Sequence, residues 1–223
     1  MSRTGKETVE YFHEKVFTCK DPEKMKSIYD EWNFGYSKDL KSASYKGPVH
    51  TAHMVHRFVN DKNCTICDVG AGTGLVAEEL RKLGFTGRMD AIDPSTGMAK
   101  EAIEKKLYNK FYHEYLIPGQ QCSVETESYD NVTCCGSIIP GHVRYQCIAE
   151  LLRICKPGGH VVVTLRKDYL DMEEFVGMDQ FLKNLEKNGT TSMTVVHEFP
   201  QYYLHYPALV FVLKKKASFK QRM

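Results

Sequence analysis

Residues 66–75, Ile66-Cys67-Asp68-Val69-Gly70-Ala71-Gly72-Thr73-Gly74-Leu75, constrain the fold of this chain more than any other stretch. An apolar, strand-sized run passes through three alternating glycines into residues 73–83, where Leu75, Val76, Leu80 and Leu83 recur at helical spacing and Gly84 supplies a stop. Glycines at such a turn accept positive φ and let a ligand approach the backbone. A strand that feeds a helix in this way, with more strand–helix alternation behind it, specifies a parallel sheet covered on both faces.

The alternation continues downstream. Residues 88–92 read as a strand, Ser95 as the cap of a helix through residue 108, residues 111–116 and 131–135 as strands, and 142–155 as a helix that ends before Pro157. The Val-rich run 160–165 has the continuous apolar pattern of a strand buried on both faces. Residues 172–187 read as a helix, and 192–199 and 208–213 as a closing antiparallel pair. Upstream, 7–17, 22–32 and 51–59 read as helices, with Asp21 as N-cap before Pro22. The expectation is an α/β, Rossmann-like sheet of seven mostly parallel strands with the last antiparallel. Residues 1–60 form a helical cap on residues 61–223, the two making one compact unit.

The next acid at a strand end is Asp93, 23 residues past Gly70, a spacing that suits a carboxylate accepting hydrogen bonds from ribose hydroxyls. A nucleoside-containing ligand follows. A dinucleotide fingerprint needs G-x-G-x-x-G/A, which fails from Gly70 because Leu75 stands at the last position. From Gly72 it succeeds through Gly74 and Ala77, but three residues too late for the tight turn after the strand. Asp68 would repel a pyrophosphate and suits a ligand with a positive centre and an ammonium group, as in S-adenosylmethionine.

Four segments carry a resemblance. Asp68 to Gly74 (DVGAGTG) is similar to motif I of the class I S-adenosylmethionine-dependent methyltransferases, AIDPSTGM to their acid-bearing segment after the second strand, SYDNVTCCGSI to their fourth motif, and ICKPGGHVVVTLR to their approach to the fifth strand. Within that superfamily DVGAGTGLVAEELRKLGF, LLRICKPGGHVVVTLR, YDEWNFGYSKD and Tyr45-Lys46-Gly47-Pro48 resemble the methyltransferase-like protein 27 family of the Williams–Beuren syndrome region, over about residues 25–170. The resemblance implies that Gly70, Ala71 and Gly72 line the methionine part of the cofactor, with Asp68 in the same motif. It implies that Asp93 holds the ribose, with Pro94 beside it, that Met98 packs near the adenine, and that residues 113–116, with Tyr115 and Leu116, flank that ring. Cys135 and Gly136 would face the sulfonium. Tyr29, Trp32, Tyr36 and Tyr45 would form a lid, with Lys46 near the cofactor carboxylate.

The reaction this implies is in-line methyl transfer to an unidentified small molecule or protein, by a monomer. His142, just beyond the fourth strand, is the best-placed candidate base, and His113 the second. Two alternatives remain open: a non-catalytic S-adenosylmethionine-binding module acting through a protein partner, and a nicotinamide-dependent oxidoreductase.

Composition narrows the rest. Thirty Lys and Arg against 28 Asp and Glu do not point to nucleic acid. The longest apolar run, 208–213, is far short of the roughly 20 residues of a membrane helix, and the N-terminal residues lack the apolar core of a secretory leader. Eight cysteines without such a leader point to reduced thiols in the cytosol, and the sequons at Asn63, Asn131 and Asn188 read as chance matches. Cys64-x-x-Cys67 enters a strand, His50, His53 and His56 drift around a helix, and Cys134-Cys135 reads as buried packing, so no metal site is expected. Lys214 to Lys216 with Lys220 and Arg222 read as a solvated edge strand and a frayed basic end, which leaves a nuclear address open.

Overall fold

Among the described residues, seven strands form one sheet in the order β3-β2-β1-β4-β5-β7-β6. The computed structural model describes residues 5–19, 21–32 and 35–216. Four helices come first: α1 (Gly5–Thr18), α2 (Pro22–Trp32), α3 (Tyr36–Ser42) and α4 (Gly47–Phe58). The alternating part follows as β1 (Ile66–Val69), α5 (Leu75–Lys82), β2 (Met89–Ile92), α6 (Thr96–Glu104), β3 (Lys110–Tyr112), β4 (Tyr129–Cys135), α7 (Ile148–Ile154) and β5 (Cys155–Arg166). The chain closes with α8 (Met178–Lys187), β6 (Thr191–Tyr203) and β7 (Tyr206–Lys215). Strands β1 to β5 pair in parallel, and β7 runs antiparallel to both neighbours. This is the expected seven-stranded sheet with its antiparallel last strand.

The apolar runs explain why the sheet sits in the middle. Along β5, Val161, Val163 and Leu165 enter the core on one face, and Val162 enters the core on the other. Along β7, Leu209, Phe211 and Leu213 take the first face, and Val210 and Val212 the second. That is period-2 alternation with both faces covered, and each such buried side chain contributes about 1.5–3 kcal/mol. Val76, Ala77 and Leu80 of α5 and Ala52 and Val55 of α4 cover the second face. Leu151 and Leu152 of α7 cover the first.

Several element boundaries differ from the sequence reading. Helix α3 was not foreseen, and α4 begins at Gly47 because Pro48 starts it well. Ser95 caps α6 by accepting the Met98 N–H at 3.1 Å, but the helix ends at Glu104 because Lys106 takes φ +53°. Strand β3 spans three residues instead of 111–116. A turn of 3₁₀ helix, Tyr145–Cys147, precedes α7, so residues 142–144 are not helical. Gly177, at φ +90°, delays α8 to Met178.

The basic end departs most. Strand β7 lies inside the sheet and β6 is its edge. Lys215 is fully buried, with Nζ donating to the Cys155 carbonyl at 2.7 Å and to Glu127 at 3.0 Å. Lys214 and Lys216 are exposed, and Lys220 and Arg222 lie outside the described residues. The cap packs on the closing hairpin, Val9, Phe12, Trp32 and Leu40 sharing a core with Tyr202, Tyr203 and Ala208. Among the described residues no helix is long and apolar enough to cross a membrane.

Candidate functional site

The carboxyl ends of β1, β2 and β4 open onto a cavity of about 480 Å³ that the cap helices roof. Its floor is the glycine loop. Gly70, at φ +66°, packs so closely on the fourth-strand turn that a Cβ there would lie 1.8 Å from Ser137 Oγ. Gly72, at φ +53°, would meet nothing within 4 Å, so its missing side chain leaves open cavity. The loop is tied to β2: the Gly70 N–H donates to the Ile92 carbonyl at 2.7 Å, and the Gly72 N–H donates to Asp93 Oδ2 at 2.8 Å.

Asp93 forms one wall with Pro94, Ser95, Met98, Tyr115 and Leu116. Its Oδ1 accepts the Ser95 N–H at 2.9 Å. Burial pushes its carboxyl up to about 6, while the N–H groups of Ser95 and Gly72 pull the other way. Each carboxylate oxygen accepts one backbone N–H and keeps a lone pair for another donor. Asp30 of α2 fastens the roof here: its Oδ1 accepts from Ser95 Oγ at 2.6 Å and from the Gly97 N–H at 2.9 Å.

Met25, Tyr29, Tyr36, His142, Val143 and Arg144 make the opposite wall. His142 follows Gly141, at φ +79°, where a Cβ would lie 2.8 Å from the Cys19 carbonyl, so the loop that carries it is pressed against the end of α1. Its Nδ1 lies 3.1 Å from the Pro140 carbonyl and its Nε2 2.9 Å from Tyr29 Oη. Burial pushes the imidazole down to about 4, so it is neutral at pH 7. A carbonyl only accepts, which puts the single ring proton on Nδ1 and makes Nε2 the acceptor of the Tyr29 hydroxyl.

The cavity thus gathers Tyr29, Tyr36, Gly70, Gly72, Asp93, Pro94, Met98, Tyr115, Leu116, Cys135, Gly136 and His142 from the expected set. The others lie behind it. Asp68 projects to the same face of β1 as Ile66, beneath the loop, where Tyr108 Oη and Thr133 Oγ1 donate to its two oxygens at 2.6 and 2.8 Å. Burial pushes that carboxyl up to about 6 against those two bonds. Ala71 is buried in the loop. Trp32 stacks on Phe12 at 4.8 Å and donates its indole N–H to Asp39, backing Tyr29 and Tyr36 without lining the cavity. Tyr45 stands one layer back, its Oη 3.4 Å from Cys135 Sγ and 3.2 Å from Tyr202 Oη. Lys46 is exposed and outside the lining. His113, the second candidate base, is exposed and stacked on Phe111, because β3 ends before it.

Sequence reasoning missed Met25, Ser137, Val143 and Arg144 as lining residues, and Asp30 and Tyr202 behind them. Asp30 had a signal, an acid one residue after Tyr29 in the aromatic cap segment. Tyr202 had none, since it arrives from the far end of the chain. Among the described residues no group of three or more His, Cys, Asp or Glu could hold a metal ion, and all eight cysteines are free.

Residues 66–159 match the family model of a methyltransferase domain. The chain is 30% identical over 165 residues to human methyltransferase-like protein 27, covering 73% of this chain and 66% of that protein. It is 24% identical over 166 residues to the mitochondrial ubiquinone biosynthesis O-methyltransferase of Candida albicans, covering 71% of this chain and 50% of the relative. The chain therefore spans about half to two thirds of the length of these relatives. A solved S-adenosylmethionine-dependent methyltransferase from Aquifex aeolicus has the same fold at 20% identity, with a TM-score of 0.55 over 90% of this chain and 97% of its own. A glycine loop at the carboxyl edge of a seven-stranded sheet, an acid tied to it from the second strand and these likenesses agree: the chain belongs to the class I methyltransferase family.

Proposed function

We propose that the protein transfers the methyl group of S-adenosylmethionine to an acceptor held under the helical cap. The observation that carries this reading is the pairing of Asp93 with the Gly72 amide at the edge of an open cavity. The residues fit the cofactor. Asp93 has free lone pairs for ribose hydroxyls, Met98 and Leu116 offer apolar surface to a purine, and the space a Cβ on Gly72 would fill is empty. Bound there, S-adenosylmethionine supplies a methyl group already electrophilic through its sulfonium, so transfer rests mainly on positioning and exclusion of water. Tyr29, Tyr36 and Met25 roof the site and exclude water, and Trp32 holds the two tyrosines from behind.

The acceptor is a molecule small enough to enter the cavity beneath the cap. Two matched relatives are named O-methyltransferases, which favours oxygen as the receiving atom. Eight free cysteines suit a reducing compartment such as the cytosol, where the protein would act as a monomer. The test is calorimetry with S-adenosylhomocysteine and with NADH, followed by methyl-labelled cofactor on size-fractionated lysate. Binding of the first ligand and label in small molecules are expected. Tight binding of NADH alone would overturn the reading, and cofactor binding without any labelled product would make the protein a sensor.

A further inference from the structure

Tyr29 and His142 are joined by a hydrogen bond to which the cofactor reading gives no task. Both line the cavity, their rings meet edge to face with centroids 5.4 Å apart, and Tyr29 Oη lies 2.9 Å from His142 Nε2. The pair is held from three sides. Trp32 and Tyr36 pack on the Tyr29 ring, the Pro140 carbonyl fixes Nδ1, and Gly141 wedges the loop against α1. With the Tyr29 proton directed at Nε2, the lone pairs of Tyr29 Oη remain to receive a proton from something else in the cavity.

We infer that the methyl acceptor is a phenol, whose hydroxyl proton leaves through Tyr29 to Nε2 of His142 as the methyl arrives. This rests on the methyl transfer proposed above. The phenol oxygen forms the new O–CH₃ bond with its lone pair, and the C–S bond breaks with its electrons moving onto sulfur. The phenolic proton passes to Tyr29 Oη while the Tyr29 proton passes to Nε2, and water later removes it from His142. Tyr29 touches the acceptor and is the catalytic residue. His142 acts through it and is a positioning residue.

The surroundings select this chemistry. The carboxylates lining the cavity are Glu23 and Asp93. Asp93 is committed to the loop amides, and Glu23 lies exposed beside Tyr115. Asp93 is near enough to act on the Tyr29 hydroxyl, but it is held by two backbone N–H groups, and Lys26 and Arg144 place two cations in the lining. An amine acceptor, protonated in neutral water, is therefore disfavoured. Met25, Tyr36 and Val143 offer an apolar and aromatic wall to a ring. Burial keeps the His142 imidazole neutral and able to take a proton, and a phenol gives one up more readily than an aliphatic alcohol.

The test uses the full chain, methyl-labelled S-adenosylmethionine and four probes: phenol, catechol, benzylamine and 4-nitrophenol, the last largely ionised in mildly alkaline buffer. Wild type should methylate phenol or catechol and spare benzylamine. Tyr29→Phe and His142→Gln should each lose about 10²-fold in kcat on phenol and on the order of twofold on 4-nitrophenol, with S-adenosylhomocysteine affinity unchanged. Nitrogen NMR of the histidines should show Nδ1 protonated and the Nε2 signal shifted in Tyr29→Phe. Equal losses on phenol and 4-nitrophenol would reduce the pair to a structural contact and overturn the inference. So would turnover of benzylamine alone, or none of any phenol by protein that binds S-adenosylhomocysteine. Failure to bind S-adenosylhomocysteine would instead sink the cofactor reading, and this inference with it.

Discussion

Asp93→Asn should flatten a pH dependence of stability that the free protein carries between about pH 4 and 6. In the folded protein burial raises the Asp93 carboxyl from 3.8 to about 6. A raised folded-state value means that the native protein keeps the proton after the unfolded chain has lost it. The contribution to stability is therefore complete below about pH 4 and disappears as pH rises through about 6. A shift of about two units is worth about 3 kcal/mol. Asparagine does not ionise, but it lacks one of the two acceptors that hold the Gly72 and Ser95 N–H groups, a pH-independent loss of about 1–3 kcal/mol. The difference in unfolding free energy between wild type and variant, measured in urea at several pH values, should thus change by up to about 3 kcal/mol across the window. Asp68, raised to the same value mainly by burial, supplies a similar slope in both proteins, less the smaller part of its shift that Asp93 causes. Ligand closes the cycle. Ribose hydroxyls favour the ionised carboxylate, so S-adenosylhomocysteine should release up to one proton near pH 5.5 in wild type and none in the variant. Calorimetry in two buffers of different ionisation heat reads this directly, and the variant should bind more weakly by about 1.5–3 kcal/mol. Parallel stability curves, or binding without proton release, would refute the assignment of Asp93.

Gly72→Val should abolish S-adenosylhomocysteine binding while leaving a cooperative urea transition, since its Cβ enters empty cavity at φ +53°; a folded variant that still binds would assign the loop another task. Trp32 is the single tryptophan and backs two lining tyrosines, so S-adenosylhomocysteine should shift or quench its emission and slow hydrogen exchange over residues 25–48; no change in either at saturation would make the cap a static wall. Lys215→Met should cost about 1–3 kcal/mol of stability by stripping a buried carbonyl and Glu127 of their donor, whereas Lys214→Met, on an exposed residue, should be near neutral; equal effects would contradict the burial of Lys215.

The sheet was legible because its strands advertise themselves. Val161 to Leu165 can only be buried on both faces, and the glycine loop names the strand before it and the helix after it. Boundaries were less legible wherever a single backbone conformation decides them, as at Lys106 and Gly177, where a left-handed residue ends or delays a helix. The acid at Asp93 was readable from spacing, but the position of Asp68 was not. An acid two residues before Gly70 looks the same whether it faces a ligand or two hydroxyls, and Tyr108 and Thr133 lie 40 and 65 residues away. The aromatic cap divided in the same way. Tyr29 and Trp32 sit on one helix three residues apart, yet one lines the cavity and the other packs on Phe12, a distinction that only the path of α1 makes.

The position of β7 sets an order of events for the nascent chain. It is the last strand in sequence but lies between β5 and β6, so one edge of β5 has no partner until β7 arrives. The cap helices precede the sheet in the chain, but the surface they pack on includes Tyr202, Tyr203 and Ala208 of the β6–β7 hairpin. Two anchors illustrate the wait: the Lys46 N–H donates to the Tyr202 carbonyl, and the Leu204 N–H to the Ala43 carbonyl. Segments far apart in the sequence must therefore meet before the cap is fully packed, a long loop closure that slows folding. Meanwhile the Val-rich edge of β5 is exposed to other chains, the kind of surface that holding chaperones recognise. Ligand held under the cap therefore also stabilises this long-range contact between the cap and the hairpin.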